Sequence, residues 1–441
     1  MAIIAPFRGL YYNPEKVDDL SLVVTPPYDI ITPEQQKRYR QRHAYNMIHL
    51  ILPEGGVADR YKKASNHLRE WEKEGILIRE KKPSIYPYQQ IFTSPSGKLI
   101  KREGFVVLVR LEPLELGSII PHEHTTNNAV EDRLKLMEAC SANLSPVFAL
   151  YPDPEKEIEG TLAEIWTLSP RYEFKDDSGI THRLWQLDDQ KIMMEISKKM
   201  QDKTLLIADG HHRYKTALIY RDRMRRRYSS YSETSPFEYT MMYLSPMEGE
   251  GVFILPTHRL VLRRNPFDLD GFYSKLRRYF FFQIFDFRNP STEKMVRKTF
   301  LETLDETGRN RYTFGLYIRG EQRYLILTLR EGVKVGDLLK GYPQVLRELD
   351  VSLLDEFILK KLLKLSDIDV GLTKDRDEAL EEVQKGNYEM AFLLTPPSIQ
   401  QVKKITEAGE VMPRKTTYFY PKVATGLVIY KIVPEEEVEL V

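Results

Sequence analysis

The feature that most narrows what this chain can fold into lies near its middle: Thr204-Leu205-Leu206-Ile207-Ala208-Asp209-Gly210-His211-His212-Arg213-Tyr214. An apolar run of strand length stops at Asp209-Gly210, and a long helical pattern, Tyr214 to Tyr228, leaves from it. Glycine there permits a tight turn and close backbone approach. The first amides of a helix have no partner within it and carry partial positive charge, so such a turn favours an anion. Arg213 adds a forked donor that fits phosphate or carboxylate. His211 and His212 add donors, metal ligands or proton carriers. Asp209 would repel a phosphate placed on it, so its expected role is to hold Mg²⁺ or to accept a proton. A plainer alternative makes Asp209 a helix cap and the histidines solvated loop residues.

A second cluster is Pro121-His122-Glu123-His124-Thr125. If extended, it places His122 and His124 on one face and Glu123 on the other. Such a pair could bind a transition metal given further ligands, although the spacing is not the His-Glu-x-x-His of zinc proteases. Glu123 could instead be a general base, or the segment a polar loop. His258, at the end of a strand, is a further candidate beside a structural turn. The stretch Met412 to Lys422 carries Lys415, Tyr418 and Lys422. It is expected to approach the cleft of Asp209, since aromatics make a wall and lysines contact phosphate. The alternative is a strand whose tyrosines pack on their own core. Arg221 to Arg227 reads as a solvated helix face favoured by the helix dipole, and Cys140 as a small buried apolar residue.

Charge does not point to a polyanion: Lys and Arg number 65 against 64 Asp and Glu in 441 residues. One cysteine cannot form an internal disulfide. No apolar run approaches the roughly 20 residues of a membrane span, and the N-terminus lacks the pattern of a signal peptide, so a cytoplasmic location is expected by elimination. The boundary signal near 260–266, ahead of Asn265-Pro266, divides the chain into 1–262 and 263–441. In the first part we expect strands at 22–24, 46–52, 85–92, 104–111, 146–150, 239–244 and 251–255. Pro26-Pro27-Tyr28-Asp29 reads as a rigid loop, Ser94 to Gly97 as a turn, and 152–203 as polar with turn signals. Helices are expected from a Thr32 cap, over 61–75 and over 128–139. Beyond the boundary come helices 267–278, 352–364 and 376–385, and strands 312–318, 323–329 and 388–394.

Ala5-Pro6-Phe7-Arg8-Gly9-Leu10, Pro26-Pro27-Tyr28-Asp29, the His122 and Asp209 blocks, and Met412 to Lys422 together resemble a prokaryotic family known as domain of unknown function one-thousand-and-fifteen. More distantly, the strand-Asp-Gly-His-x-Arg-helix turn is similar to the phosphate-binding turn of the ParB/sulfiredoxin superfamily, which includes kinases of free serine. That resemblance implies an α+β fold with a mixed-sheet, nucleotide-binding core of this kind and an additional α/β C-terminal domain. It implies a nucleotide-dependent kinase acting on a small hydroxylated metabolite, with L-serine as acceptor and ATP or ADP with Mg²⁺ as cofactors. Glu123 and Asp209 would be catalytic, and Gly210, His211, His212, Arg213, His122 and His124 would hold phosphate. Sulfiredoxin has Gly-Cys-His-Arg where this chain has Gly210-His211-His212-Arg213, which speaks against sulfinic-acid repair. Two alternatives are a nucleotide-gated binding protein of the ParB type and a metal-dependent hydrolase using the histidines. No membrane or nucleic-acid partner is expected: no basic recognition helix is evident. The sequence leaves oligomeric state open.

Overall fold

The computed structural model describes residues 2–56, 59–94, 97–228, 230–262, 268–309, 311–366 and 369–441. The middle of the expected turn at Ser94–Gly97 and part of the boundary at 260–266 lie outside them. The chain forms two compact units, Met1–Phe253 with Pro421–Val441, and Ile254–Tyr420. These bounds differ from 1–262 and 263–441 because the strand at 258–261 pairs within the second sheet. Residues 421–441 rejoin the first unit, where Thr425 pairs with Thr25, Ile429 with Leu10 and Tyr430 with Asn143.

The first unit is built on a nine-stranded sheet. Its strands are β1 (Ile4–Ala5), β2 (Tyr86–Thr93), β3 (Leu99–Arg110), β4 (Ile119–Ile120), β5 (Val147–Tyr151), β6 (Tyr172–Lys175), β7 (Thr181–Leu184), β8 (Leu205–Asp209) and β9 (Tyr239–Pro246). The order is β4-β8-β5-β9-β3-β2-β7-β6, with β1 also on β3. The β4–β8 and β5–β9 pairs are parallel and the rest antiparallel, so the sheet is mixed. Phe105 to Val109 of β3 are buried on both faces, the expected state of a continuous apolar run. Gly104 opens that run because a Cβ there would lie 2.2 Å from the Leu244 carbonyl oxygen.

Helices α1 (Pro33–Arg42), α2 (Ile48–Ile51), α3 (Arg60–Lys73), α4 (Asn127–Cys140), α5 (Glu157–Leu162), α6 (Gln190–Met200) and α7 (His211–Arg227) surround the sheet strands in sequence. Thr32 and Gln35 form a reciprocal capping box at α1, with Pro33 in the first turn. Tyr61, Ala64, Leu68 and Trp71 form the buried stripe of α3. Two expected strands are absent. Residues 20–22 form a 3₁₀ turn fastened by the Asp19 carboxylate on the Ser21 amide. The run at 46–52 is the helix α2, because the Asn46 side chain accepts from the Ile48 amide and so starts a helical turn. An apolar run that short does not carry a period. The polar region 152–203 contains α5, β6, β7 and α6.

The second unit holds a six-stranded sheet of β10 (His258–Val261), β11 (Phe280–Asp286), β12 (Thr313–Ile318), β13 (Arg323–Leu329), β14 (Val370–Thr373) and β15 (Met390–Leu393). The order is β11-β13-β12-β15-β10-β14 and every pair is antiparallel. This corrects the expected α/β architecture: β12 and β13 are joined by a hairpin at Gly320, whose φ is +82°, and not by a crossover helix. Phe300, Leu304, Tyr324, Ile326, Ala391 and Leu393 pack in its core. The expected helix at 352–364 is wound as a π-helix over Leu353–Leu362. Both units are mixed α+β structures.

Candidate functional site

Strand β8 is buried along its length and delivers Asp209 to its C-terminal end. Gly210 then turns the chain with φ +92° and becomes the residue preceding α7. Glycine is required twice over, since a Cβ would also stand 2.9 Å from the Arg213 guanidinium. The helix is fixed by Tyr214, whose hydroxyl donates to the Glu112 carbonyl at 2.7 Å and accepts from the Glu112 amide at 3.0 Å.

The Asp209 carboxylate is clamped on both oxygens. Arg213 Nη2 donates to Oδ2 at 2.5 Å, and Lys422 Nζ donates to Oδ1. Arg213 Nη1 also donates to the Pro146 carbonyl. Lys422 arrives on the returning C-terminal segment. Gln90 Nε2 donates to its carbonyl at 3.0 Å, and Arg102 donates to the Pro421 carbonyl and to Gln90 Oε1. Arg102 is 1% exposed and lies 4.6 Å from the Phe148 ring centroid. A buried arginine thus anchors the segment that presents the lysine. Burial alone would raise the Asp209 pKa, but Lys422 and Arg213 hold it down to about 2.

His122 and His211 lie beside this clamp, with ring centroids 4.5 Å apart in a T-shaped pair. His122 Nδ1 donates to the Ile207 carbonyl at 2.6 Å, and its backbone amide donates to His211 Nε2 at 3.2 Å. Each bond selects one neutral tautomer. Burial lowers the His122 pKa to about 4 and lowers that of His211 well below the ordinary range. His212 Nε2 accepts from the Thr126 amide at 3.0 Å, so it caps the start of α4. Its pKa is lowered by burial.

The sequence-derived candidates are therefore sorted. Asp209, Gly210, His211, Arg213, His122 and Lys422 are brought together, with His212 on the α4 side of the turn. Glu123 is half-buried next to His122, while His124 is exposed. The two histidines do not share an environment as an extended segment would require, because the chain bends at Glu123. His258, Lys415 and Tyr418 belong to the second unit. His258 is 2% exposed and accepts from the Leu394 amide at 3.2 Å, a core role. Arg259 donates to the Lys415 carbonyl, and Lys374 donates to the Tyr418 hydroxyl. A Mg²⁺ ion on Asp209 would share the two carboxylate oxygens with Arg213 and Lys422, each of which already donates to one of them. Among the described residues no group of three or more His, Cys, Asp or Glu side chains is placed to hold a metal.

Asp29 was not singled out by sequence. It is exposed at the end of the Pro26-Pro27 loop, within reach of the charges of Asp209, Arg213 and Lys422. The signal for it was an acidic residue held on a rigid diproline arm.

A mixed α+β unit with a buried, doubly clamped aspartate at a strand-to-helix turn is the class of structure that results. The chain belongs to the family described as Protein of unknown function (DUF1015), whose match spans residues 4–352. No curated protein matches it. Similar solved structures include a free serine kinase in complex with AMP, 14% identical, covering 73% of this chain and 92% of that one, with a TM-score of 0.31. Others are a conserved hypothetical protein from Pyrococcus furiosus (13%, 73% and 95%, 0.30) and SbnI with a C-terminal truncation from Staphylococcus aureus (10%, 76% and 90%, 0.35). Among the described residues no helix is long and apolar enough to cross a membrane.

Proposed function

We propose that this chain binds a nucleotide by its phosphates at the Asp209–Arg213 turn and transfers the terminal phosphoryl group to a small hydroxylated metabolite, with L-serine the first acceptor to test. The core would be a ParB/sulfiredoxin-like one. The observation that carries the reading is the Asp209 clamp. It holds a guanidinium and an ammonium in fixed places at a helix N-terminus without leaving net negative charge on the turn. Phosphoryl transfer needs such positioned cations more than covalent chemistry. The acceptor hydroxyl oxygen bonds to the terminal phosphorus of ATP or ADP, the bond to the bridging oxygen breaks, and ADP or AMP leaves. The hydroxyl proton goes to Glu123, the half-buried carboxylate of the histidine loop. Asp209 is a poor rival base, with both oxygens engaged and its pKa held to about 2. Any Mg²⁺ would enter on the nucleotide phosphates and offset their charge.

Calorimetric titration with ADP, and ³¹P NMR of the protein with ATP or ADP, Mg²⁺ and L-serine, test the proposal. Binding and formation of phosphoserine are expected. Arg213→Ala should weaken ADP binding by about 10- to 150-fold, the equivalent of roughly 1.5–3 kcal/mol for a charge-assisted contact. Glu123→Gln should lower turnover by about 10²–10⁴-fold with ADP affinity retained. Absence of both ADP binding and phosphoserine would sink the reading.

A further inference from the structure

Among the described residues, three of the four outer strands of the two large sheets carry a guard against pairing with another chain. β4 has only two residues, β6 turns Glu173 and Lys175 to solvent, and β14 has four residues with Gly371 among them. β11 is the exception. It runs for seven residues, Phe280-Phe281-Phe282-Gln283-Ile284-Phe285-Asp286, with no proline, glycine or lysine, and its register on β13 is unbroken. Phe281 is 59% exposed and Ile284 43%. The two faces of the strand are covered: Tyr273 of α8 (Leu269–Arg277) meets Phe282, and Phe300 of α9 (Pro290–Thr307) meets Phe285 on the other side. The edge itself has no neighbouring strand among the described residues.

The backbone fixes which groups that edge offers. The Arg330 amide donates to the Tyr279 carbonyl at 2.9 Å, and the Phe287 amide donates to the Gln322 carbonyl at 2.9 Å. Hydrogen-bonded positions recur at every second residue of an antiparallel pair. The odd-numbered residues of β11 therefore spend their backbone groups on β13. The N–H and C=O groups of Phe280, Phe282, Ile284 and Asp286 point outward, a ready template for one more strand.

We infer that the strand added there is β11 of a second copy of this chain, antiparallel about a two-fold axis at Phe282, so that the two six-stranded sheets become one. Charge selects both the partner and the register. With the axis at Phe282, residue 282 faces itself, Phe280 faces Ile284, Phe281 faces Gln283, and Arg278 faces Asp286 on each side of the axis. Arg278 and Asp286 are both exposed, and neither has an ion-pair partner among the described residues. Opposite charges directly across a strand pair stabilise it and like charges destabilise it. An axis at Gln283 would set Arg278 against Arg288, and one at Ile284 would set Asp286 against Phe282. A two-fold pairing of this kind also uses up the edge, so assembly stops at two copies. The inference does not depend on the phosphate reading.

Sedimentation velocity of the full chain over a dilution series tests it. Wild-type protein should sediment with twice the chain mass and dissociate on dilution. Ile284→Lys places a lysine guard on the edge and should shift the protein to the monomer with its melting temperature unchanged. Asp286→Arg should weaken the dimer roughly tenfold, because the repulsion acts twice across the axis. Arg278→Asp combined with Asp286→Arg restores opposite charges and should bring dissociation back to that of wild type; this pair decides the matter should Ile284→Lys fail to fold by circular dichroism. A wild-type chain that is monomeric at every concentration overturns the inference. So does a dimer indifferent to Ile284→Lys and Asp286→Arg, which would use another face, and so does a double variant no tighter than Asp286→Arg alone.

Discussion

Asp209 shows how much one buried carboxylate depends on its partners. Lys422→Met would leave it facing Arg213 alone, and breaking a buried pair by removing one partner typically destabilises by about 3–5 kcal/mol. Adding Asp209→Asn should restore part of that loss, so denaturant unfolding of the two single variants and the double variant should show strong non-additivity; simple addition would mean the clamp is not coupled. His122 gives a pH prediction. Its pKa falls from the ordinary 6.5 to about 4 on folding. Between those values the unfolded chain takes up a proton that the folded chain refuses, so stability drops as pH falls through the window, by about 3 kcal/mol for this group. Asp209 acts in the next window down, its contribution fading from pH 3.8 towards 2. His122→Asn keeps a donor for the Ile207 carbonyl and should lessen the fall in melting temperature between pH 6.5 and 4, the remainder belonging to His211 and the other buried histidines; an unchanged slope would remove His122 as a source. The residue types of the turn were legible in sequence because glycine, histidine and arginine are packed so closely there. The approach of Lys422 to Asp209 was expected from the aromatic, lysine-bearing segment that carries it, whereas its pairing with Arg213 on opposite oxygens of one carboxylate was not, and Asp29 was hidden inside a motif that reads only as a stiff loop.

At the scale of elements, β8, the turn and α7 were readable because each has its own signal: an apolar run, a breaker and a long helical period. Gly210→Ala tests the breaker. The substitution combines a left-handed backbone with a Cβ 2.9 Å from Arg213, so it should destabilise by about 1–3 kcal/mol and loosen ADP more than a surface change of equal stability. Thermal melts paired with ADP titration would check this; a melt within the error of wild type would show that the turn tolerates a side chain. Elements without a local signal were misread. The run at 46–52 has the composition of a strand, and a single capping contact from Asn46 makes it a helix. The second sheet was taken for part of an α/β fold because helices and strands alternate there, although strand direction is set by the connections and not by alternation.

At the scale of the molecule, the chain leaves the first unit at Phe253 and re-enters it at Pro421. No periodicity reports such a return, which is why a single boundary was drawn from sequence. Val423, Leu427, Val428, Ile429 and Tyr430 are all buried after it. A chain ending at Tyr420 should therefore lose soluble yield and cooperative melting of the first unit; a soluble, cooperatively melting product would show the segment to be dispensable. The same topology sets a timetable for synthesis. At about 5–20 residues per second, roughly ten to thirty seconds pass between translation of Phe253 and translation of Lys422. Throughout that interval the nascent first unit has Asp209 and Arg213 in hand but not the lysine, so the carboxylate is answered on one oxygen only until Lys422 has been made.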